Sequence, residues 1–192
     1  MRIFIILISV IYLSNCPAIG QKIDYPADFL NKLDQLSLAF IEPLESDYKD
    51  VMVLKNEVQS YDFAIKSRKE KIEIRYIVQP SGDDLLANMP NIQFTRLLTQ
   101  LASNHETASP MAIHDIARKE LEEFFHADWG RLAFFQPKGD FAHWRHAKLL
   151  SLFKAEKGMT HILFLFQKPS VDLDNRFYAV QFIEEAFETD SQ

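Results

Sequence analysis

Both tryptophans and three of the six histidines of this 192-residue chain fall in one stretch: His126, Asp128, Trp129, His143, Trp144, Arg145 and His146. One chemistry such a set offers is metal ligation. His143 and His146 stand at i and i+3, and His126 and Asp128 are two further donors of the kind zinc takes. That reading needs residues 143–146 to form a helical turn. If a strand begins at His146, the two imidazoles point to opposite faces and cannot share an ion. No second short-spaced pair and no H-E-x-x-H accompanies them. The alternative is packing and recognition. A cationic His126 would suit the C-terminal end of a helix, and Trp129 beside Gly130 would close a core where helix meets strand. Trp and Arg are enriched at interface hot spots. Trp129, Phe141, His143 and Trp144 are therefore the residues expected to form a partner-contact surface, with no metal or cofactor expected.

Other reactive patterns fail at the level of spacing. There is no G-x-S-x-G elbow. Gly20, Gly82, Gly130, Gly139 and Gly158 are too scattered for either common phosphate-cradling loop. Asp172-x-Asp174 lacks the glycine and the next ligand of a calcium loop. The single cysteine, Cys16, lies in a segment expected to be removed. An enzyme is not expected. Ser67-Arg68-Lys69-Glu70-Lys71 is a basic patch in a chain of net charge -6. It reads as a soluble hairpin turn or as a contact for an anionic lipid or partner. Of the 16 Phe, Phe134, Phe135, Phe153, Phe164, Phe166, Phe177 and Phe182 fall on expected strands. They either fill a core solidly or line a pocket for an apolar small molecule. The acidic balance argues against nucleic acid.

The N-terminus carries the most specific signal. Arg2 precedes an apolar run from Ile3 to Leu13, and Pro17-Ala18-Ile19-Gly20 supplies small residues behind a helix breaker. These are the parts of a secretory signal peptide, residues 1–20, and the run is too short to span a bilayer. In the alternative, Leu13-Ser14-Asn15-Cys16 resembles the lipobox of bacterial lipoproteins, which implies a signal ending before Cys16 and a lipid anchor on it. Only that version brings the membrane in as a partner. After cleavage behind Gly20 no Cys remains, and no Asn heads an N-x-[ST] acceptor. Both absences point to a bacterial envelope, periplasmic or secreted.

Residues 21–192 read as a single α+β domain in the order α-β-β-β-α-α-β-β-β-β, with about six or seven strands in a mainly antiparallel sheet under about three helices. Pro26 opens a helix whose apolar face is Phe29, Leu33, Leu36 and Phe40. Asp50 to Leu54 reads as a short strand. Tyr61 to Lys66 and Ile72 to Gln79 alternate as two strands with one wet face, joined by a turn at Ser67 to Glu70. Phe94, Leu97, Leu98 and Leu101 stripe a second helix. Ile113, Ile116, Ala117, Leu121, Phe124 and Phe125 stripe a third, opened by Ser109-Pro110. Arg131 to Gln136, Ala147 to Lys154, Met159 to Gln167 and Arg176 to Ile183 read as strands. The hairpin at residues 155–158 sets His161 opposite position 152 or 153. This element order is similar to that of the PsbP/Mog1-like α-β-α sandwiches. The likeness implies a fold and carries no activity with it. The expectation is an exported, non-enzymatic domain that binds or assists an envelope protein. The alternatives are a carrier of an apolar small molecule and a metal-assisted hydrolase using His126, Asp128, His143 and His146.

Overall fold

The computed structural model describes residues 23–42, 47–53, 58–82, 85–106, 108–169 and 173–183. The leader with Cys16, the pair Asp83-Asp84, Asp172 and the acidic tail from Glu184 lie outside the described residues. α1 (Ala27–Gln35) begins behind Pro26 and buries Phe29 and Leu33. The stripe expected to continue to Phe40 is cut at Ser37, which turns the chain with φ 52. Leu38–Phe40 becomes β1. Next come β2 (Lys49–Asp50), β3 (Phe63–Ser67) and β4 (Ile72–Pro80). α2 (Pro90–Leu101) carries proline at its first position and buries Phe94, Leu97, Leu98 and Leu101.

The stripe from Ile113 to Phe125 does not fold as one helix. Ala112–Asp115 is β5, and helical structure begins only at α3 (Arg118–Glu120), which runs into a π turn over Leu121–Phe125. A sheet edge overrides the helical spacing, because β5 gains a backbone ladder against residues 131–134 and Asp115 pairs with Arg131 at 2.6 Å. The wider π turn turns Leu121 and Phe125 inward and leaves Phe124 exposed. A Cβ on Gly130 would lie 2.6 Å from Leu121 Cδ2, so glycine is what lets the π turn settle on the sheet.

β6 (Trp129–Phe135), β7 (His146–Lys154) and β8 (Gly158–Phe166) follow, then α4 (Asp174–Phe177) and β9 (Val180–Phe182). α4 shortens the last expected strand to three residues. Seven strands form one sheet in the order β2-β3-β4-β8-β7-β6-β5, with β1 and β9 paired apart from it. Every neighbour is antiparallel, which bears out the α+β sandwich and its element order. β8 is buried at all nine positions, as its continuous apolar run requires of a strand covered on both faces. One face packs against α1, β1–β9 and the π turn. The other packs against α2 and the segment 136–145. The phenylalanines divide between these layers: Phe164, Phe166 and Phe182 join the first and Phe135 and Phe153 the second. Each buried Phe contributes roughly 2 kcal/mol of apolar transfer. Among the described residues no helix is long and apolar enough to cross a membrane.

Candidate functional site

On the α2 side, the β3–β4 hairpin and the segment 139–144 enclose a groove of about 640 Å³. Strand pleating brings its floor together. Lys66 lies opposite Glu73, Ala64 opposite Arg75, and Glu73 and Arg75 share a face as i and i+2 neighbours. Sequence alternation had assigned Glu73 and Arg75 to a wet face. Both are in fact buried, at 5% and 9% exposure. Nearly every polar edge of the two is satisfied by a partner. Arg75 Nε and Nη2 reach Glu73 Oε1 at 2.8 and 2.7 Å. Arg75 Nη1 donates to the Phe141 carbonyl at 3.1 Å, and Lys66 Nζ stands 3.4 Å from Glu73 Oε2. The guanidinium plane lies between the rings of Tyr61 and Phe141, 4.8 and 4.7 Å from their centroids. This stacking suits the weakly hydrated Arg and would not suit Lys.

The two walls are held separately. In the hairpin turn, Ser67 Oγ donates to Asp47 at 2.5 Å and accepts from the Glu70 amide at 2.9 Å. The Ser67 hydroxyl keeps the Asp47 carboxyl below the usual carboxylate range. Glu70 turns away from the groove to Arg176 at 2.9 Å and to the Tyr48 hydroxyl at 2.6 Å. Burial, with Glu70 as hydrogen-bond partner, pushes Tyr48 well above the ordinary phenol value. The one acid of the basic turn is thus committed elsewhere, while Arg68 and Lys71 make no ion pair among the described residues. In the opposite wall, the Phe141 and Ala142 amides fold back onto the Lys138 carbonyl at 3.1 Å each. Lys138 Nζ caps α2 through the Gln100 and Thr99 carbonyls at 2.8 and 3.2 Å, a favourable place for a cation. Gln167 holds the His143 carbonyl at 3.2 Å. Trp144 is half-buried with Lys66 Nζ 5.1 Å over its ring.

The lining therefore sets Lys66, Arg68, Lys71 and Arg75 against Glu73 and Asp140, with an aromatic wall. It is a cationic recess in an acidic chain. Of the expected contact residues, Phe141, His143 and Trp144 meet here, and the basic patch of residues 67–71 joins them. Trp129 does not. From β6 it pairs with Phe153 of β7, seven positions along that strand from His146, or about 24 Å at roughly 3.4 Å per residue. There it packs edge-on against Phe94 at 6.0 Å, with Arg131 over its ring.

The four residues of the metal reading are also parted. His126 ends the π turn at φ 49, and Asp128 accepts from the Ala155 amide at 2.7 Å; both sit at the Phe153 end. His143 and His146 sit at the other end. A strand begins at His146, so the two imidazoles take opposite faces. His146 stacks against Phe134 and Phe166 at 5.6 and 5.9 Å, with Nδ1 buried and without a hydrogen-bond partner among the described residues. Among the described residues no group of three His, Cys, Asp or Glu is placed to hold a metal ion.

Sequence reasoning missed Tyr61, Lys66, Glu73 and Arg75. The one signal available was the pairing of opposite charges at i and i+2 with a third across the turn. Compared with known proteins, the chain matches no family model, no curated protein and no solved structure.

Proposed function

We propose that this chain is an exported, non-enzymatic binding domain of a bacterial envelope whose groove takes an acidic segment of a partner protein. The observation that carries this reading is the convergence of Lys66, Arg68 and Lys71 with Phe141 and Trp144 around one recess. Arg68 and Lys71, without an ion pair among the described residues, attract carboxylates, while the aromatic wall offers rigid area for an apolar residue between them. A recess with a buried floor fits a chain segment better than a flat lipid surface. The leader at residues 1–20, or the lipid-anchored version at Cys16, supports the cellular setting.

The test follows Trp144 emission in a Trp129→Phe background, which leaves one reporter. Titration with a Glu/Asp-rich peptide containing one Phe should shift the emission, and the affinity should fall steeply with salt. Arg68→Glu/Lys71→Glu should weaken binding by about tenfold or more without changing the melt. Equal response to a Lys-rich peptide, or binding indifferent to those two changes, would overturn the proposal. A response only to anionic phospholipid vesicles would reassign the groove to a membrane surface.

A further inference from the structure

A second cavity, of about 420 Å³, opens where α2 meets the end of β4 and reaches into β8, and its residues are not those of the groove. Its floor is His161, in the middle of the sheet's most buried strand. The neighbouring rows on this face are apolar at their centre: Leu149 pairs with Leu163 and Phe153 with Met159. Between them, Ser151 pairs with His161, not the 152 or 153 expected, and both are buried to 0% and 1% exposure. Burying a polar pair costs stability that an apolar pair would not. The pair sits directly under the cavity.

The ring's orientation follows from its contacts. Nδ1 is 2.7 Å from Ser151 Oγ, and it is the hydroxyl's one hydrogen-bond partner among the described residues. Donation by the hydroxyl to Nδ1 is the arrangement that leaves no buried O–H unpaired, and it puts the ring hydrogen on Nε2, the edge available to the cavity. Burial alone depresses the imidazole pKa to about 3, so this edge is a neutral donor at any ordinary pH. The cavity's cation is Arg96, exposed and without an ion pair among the described residues. Pro80, Ile92 and Leu97 line the same cavity as its apolar part. The walls are pinned: Gln93 donates to the Leu86 carbonyl at 3.0 Å and Gln100 to the Val58 carbonyl. The volume falls in the range of small-molecule sites.

We propose that this cavity binds a small organic acid, its carboxylate paired with Arg96, its short apolar body against Ile92, Leu97 and Pro80, and a second oxygen accepting from His161 Nε2. Three probes separate these contacts. Levulinate carries both oxygen groups, valerate lacks the ketone, and the matching methyl ketone lacks the carboxylate. Nitrogen NMR of the full mature chain reads the His161 ring. Levulinate should move the Nε2 resonance, leave Nδ1 in place, and bind about tenfold more tightly than either truncated probe, the effect of one well-made hydrogen bond or ion pair. Arg96→Gln should bring levulinate down to the methyl ketone's affinity with an unchanged melt. Ser151→Ala/His161→Phe removes the donor without orphaning the hydroxyl, and should bring levulinate down to valerate's. An unmoved Nε2 resonance, equal affinities for the three probes, or wild-type binding by Arg96→Gln would each overturn the assignment. The surface change at Arg96 and the wild-type spectra keep the test decisive even where the core variant does not fold.

Discussion

On the face turned to α1, Phe29 and Phe63 stack at 4.9 Å and Phe63 and Tyr76 at 6.0 Å. The polar groups buried there are mostly hydroxyls, among them Ser67 bonded to Asp47, Thr160 to the Ile77 carbonyl and Tyr48 to Glu70. On the face turned to α2, the same strands carry Glu73, Arg75, Ser151 and His161, all buried. Alternation alone decides which face a residue joins, so one set of strands holds two interiors of different chemistry. The first contributes stability by filling space. The second holds polar groups in fixed directions, and it is stable only while each keeps its partner. Both candidate sites lie on the second face.

The largest effects should come from breaking each interior in its own way. Phe63→Ala removes a ring from the packed face and should cost about 3–5 kcal/mol. Arg75→Leu strands the Glu73 carboxylate beside Lys66 alone and should cost a similar roughly 3–5 kcal/mol. Urea melts separate the mechanisms. Adding Glu73→Leu to Arg75→Leu should recover much of the loss, whereas no second change on the strands should rescue Phe63→Ala. Equal recovery in both would erase the contrast between the faces.

Acid titration comes next. Folded His161 takes its proton only at about 3, while an unfolded imidazole takes it near 6.5. Between those values the unfolded chain binds the extra proton, so stability falls as pH drops from about 6.5 and stops falling from this source near 3. The slope approaches roughly 1.4 kcal/mol per pH unit. His161→Gln should remove that part of the pH dependence, seen as the difference between the two proteins' melts across the range. Parallel curves would place the imidazole in water.

Gly130→Ala tests how closely the π turn sits on the first face. It should cost about 1–3 kcal/mol through overpacking against Leu121, and Leu121→Ala should relieve part of it. The smallest effect on stability should come from the groove rim. Trp144→Ala should weaken acidic-peptide binding by about tenfold and shift the chemical melt by no more than about 0.5 kcal/mol, since half-buried rim residues contribute little to the fold. Mass spectrometry of the mature N-terminus, reading free Gln21 or acylated Cys16, tests the export reading apart from either face.

The sequence was most legible where one contact range decides structure. Period two in residues 61–79 and the apolar run of β8 came through as strands because the pleat imposes that spacing on any half-buried or fully buried strand. Phe94 to Leu101 came through as α2 for the same reason at a helical spacing. Ile113 to Phe125 misled because its spacing suits a helix, yet four of its residues found a sheet edge, which local spacing does not encode. At the site, Phe141, His143 and Trp144 were legible as large side chains gathered in a loop. Trp129 shared their stretch of sequence and not their end of the sheet, since β7 carries the chain away before it returns. Glu73 and Arg75 were misjudged as solvated because charge normally marks the wet face. Their burial depends on Phe141, 66 residues from Arg75.

By itself the sequence determined the class of fold, the alternation of the hairpin strands and the basic turn at residues 67–71. These depend on residue type and near-neighbour spacing, which a chain carries with it. Only the tertiary structure decided that the basic turn faces the aromatic loop, that Arg75 lies between two rings, and that Ser151 aims His161 at a cavity. Each of these joins segments distant along the chain, and which segments meet is set by strand order and register.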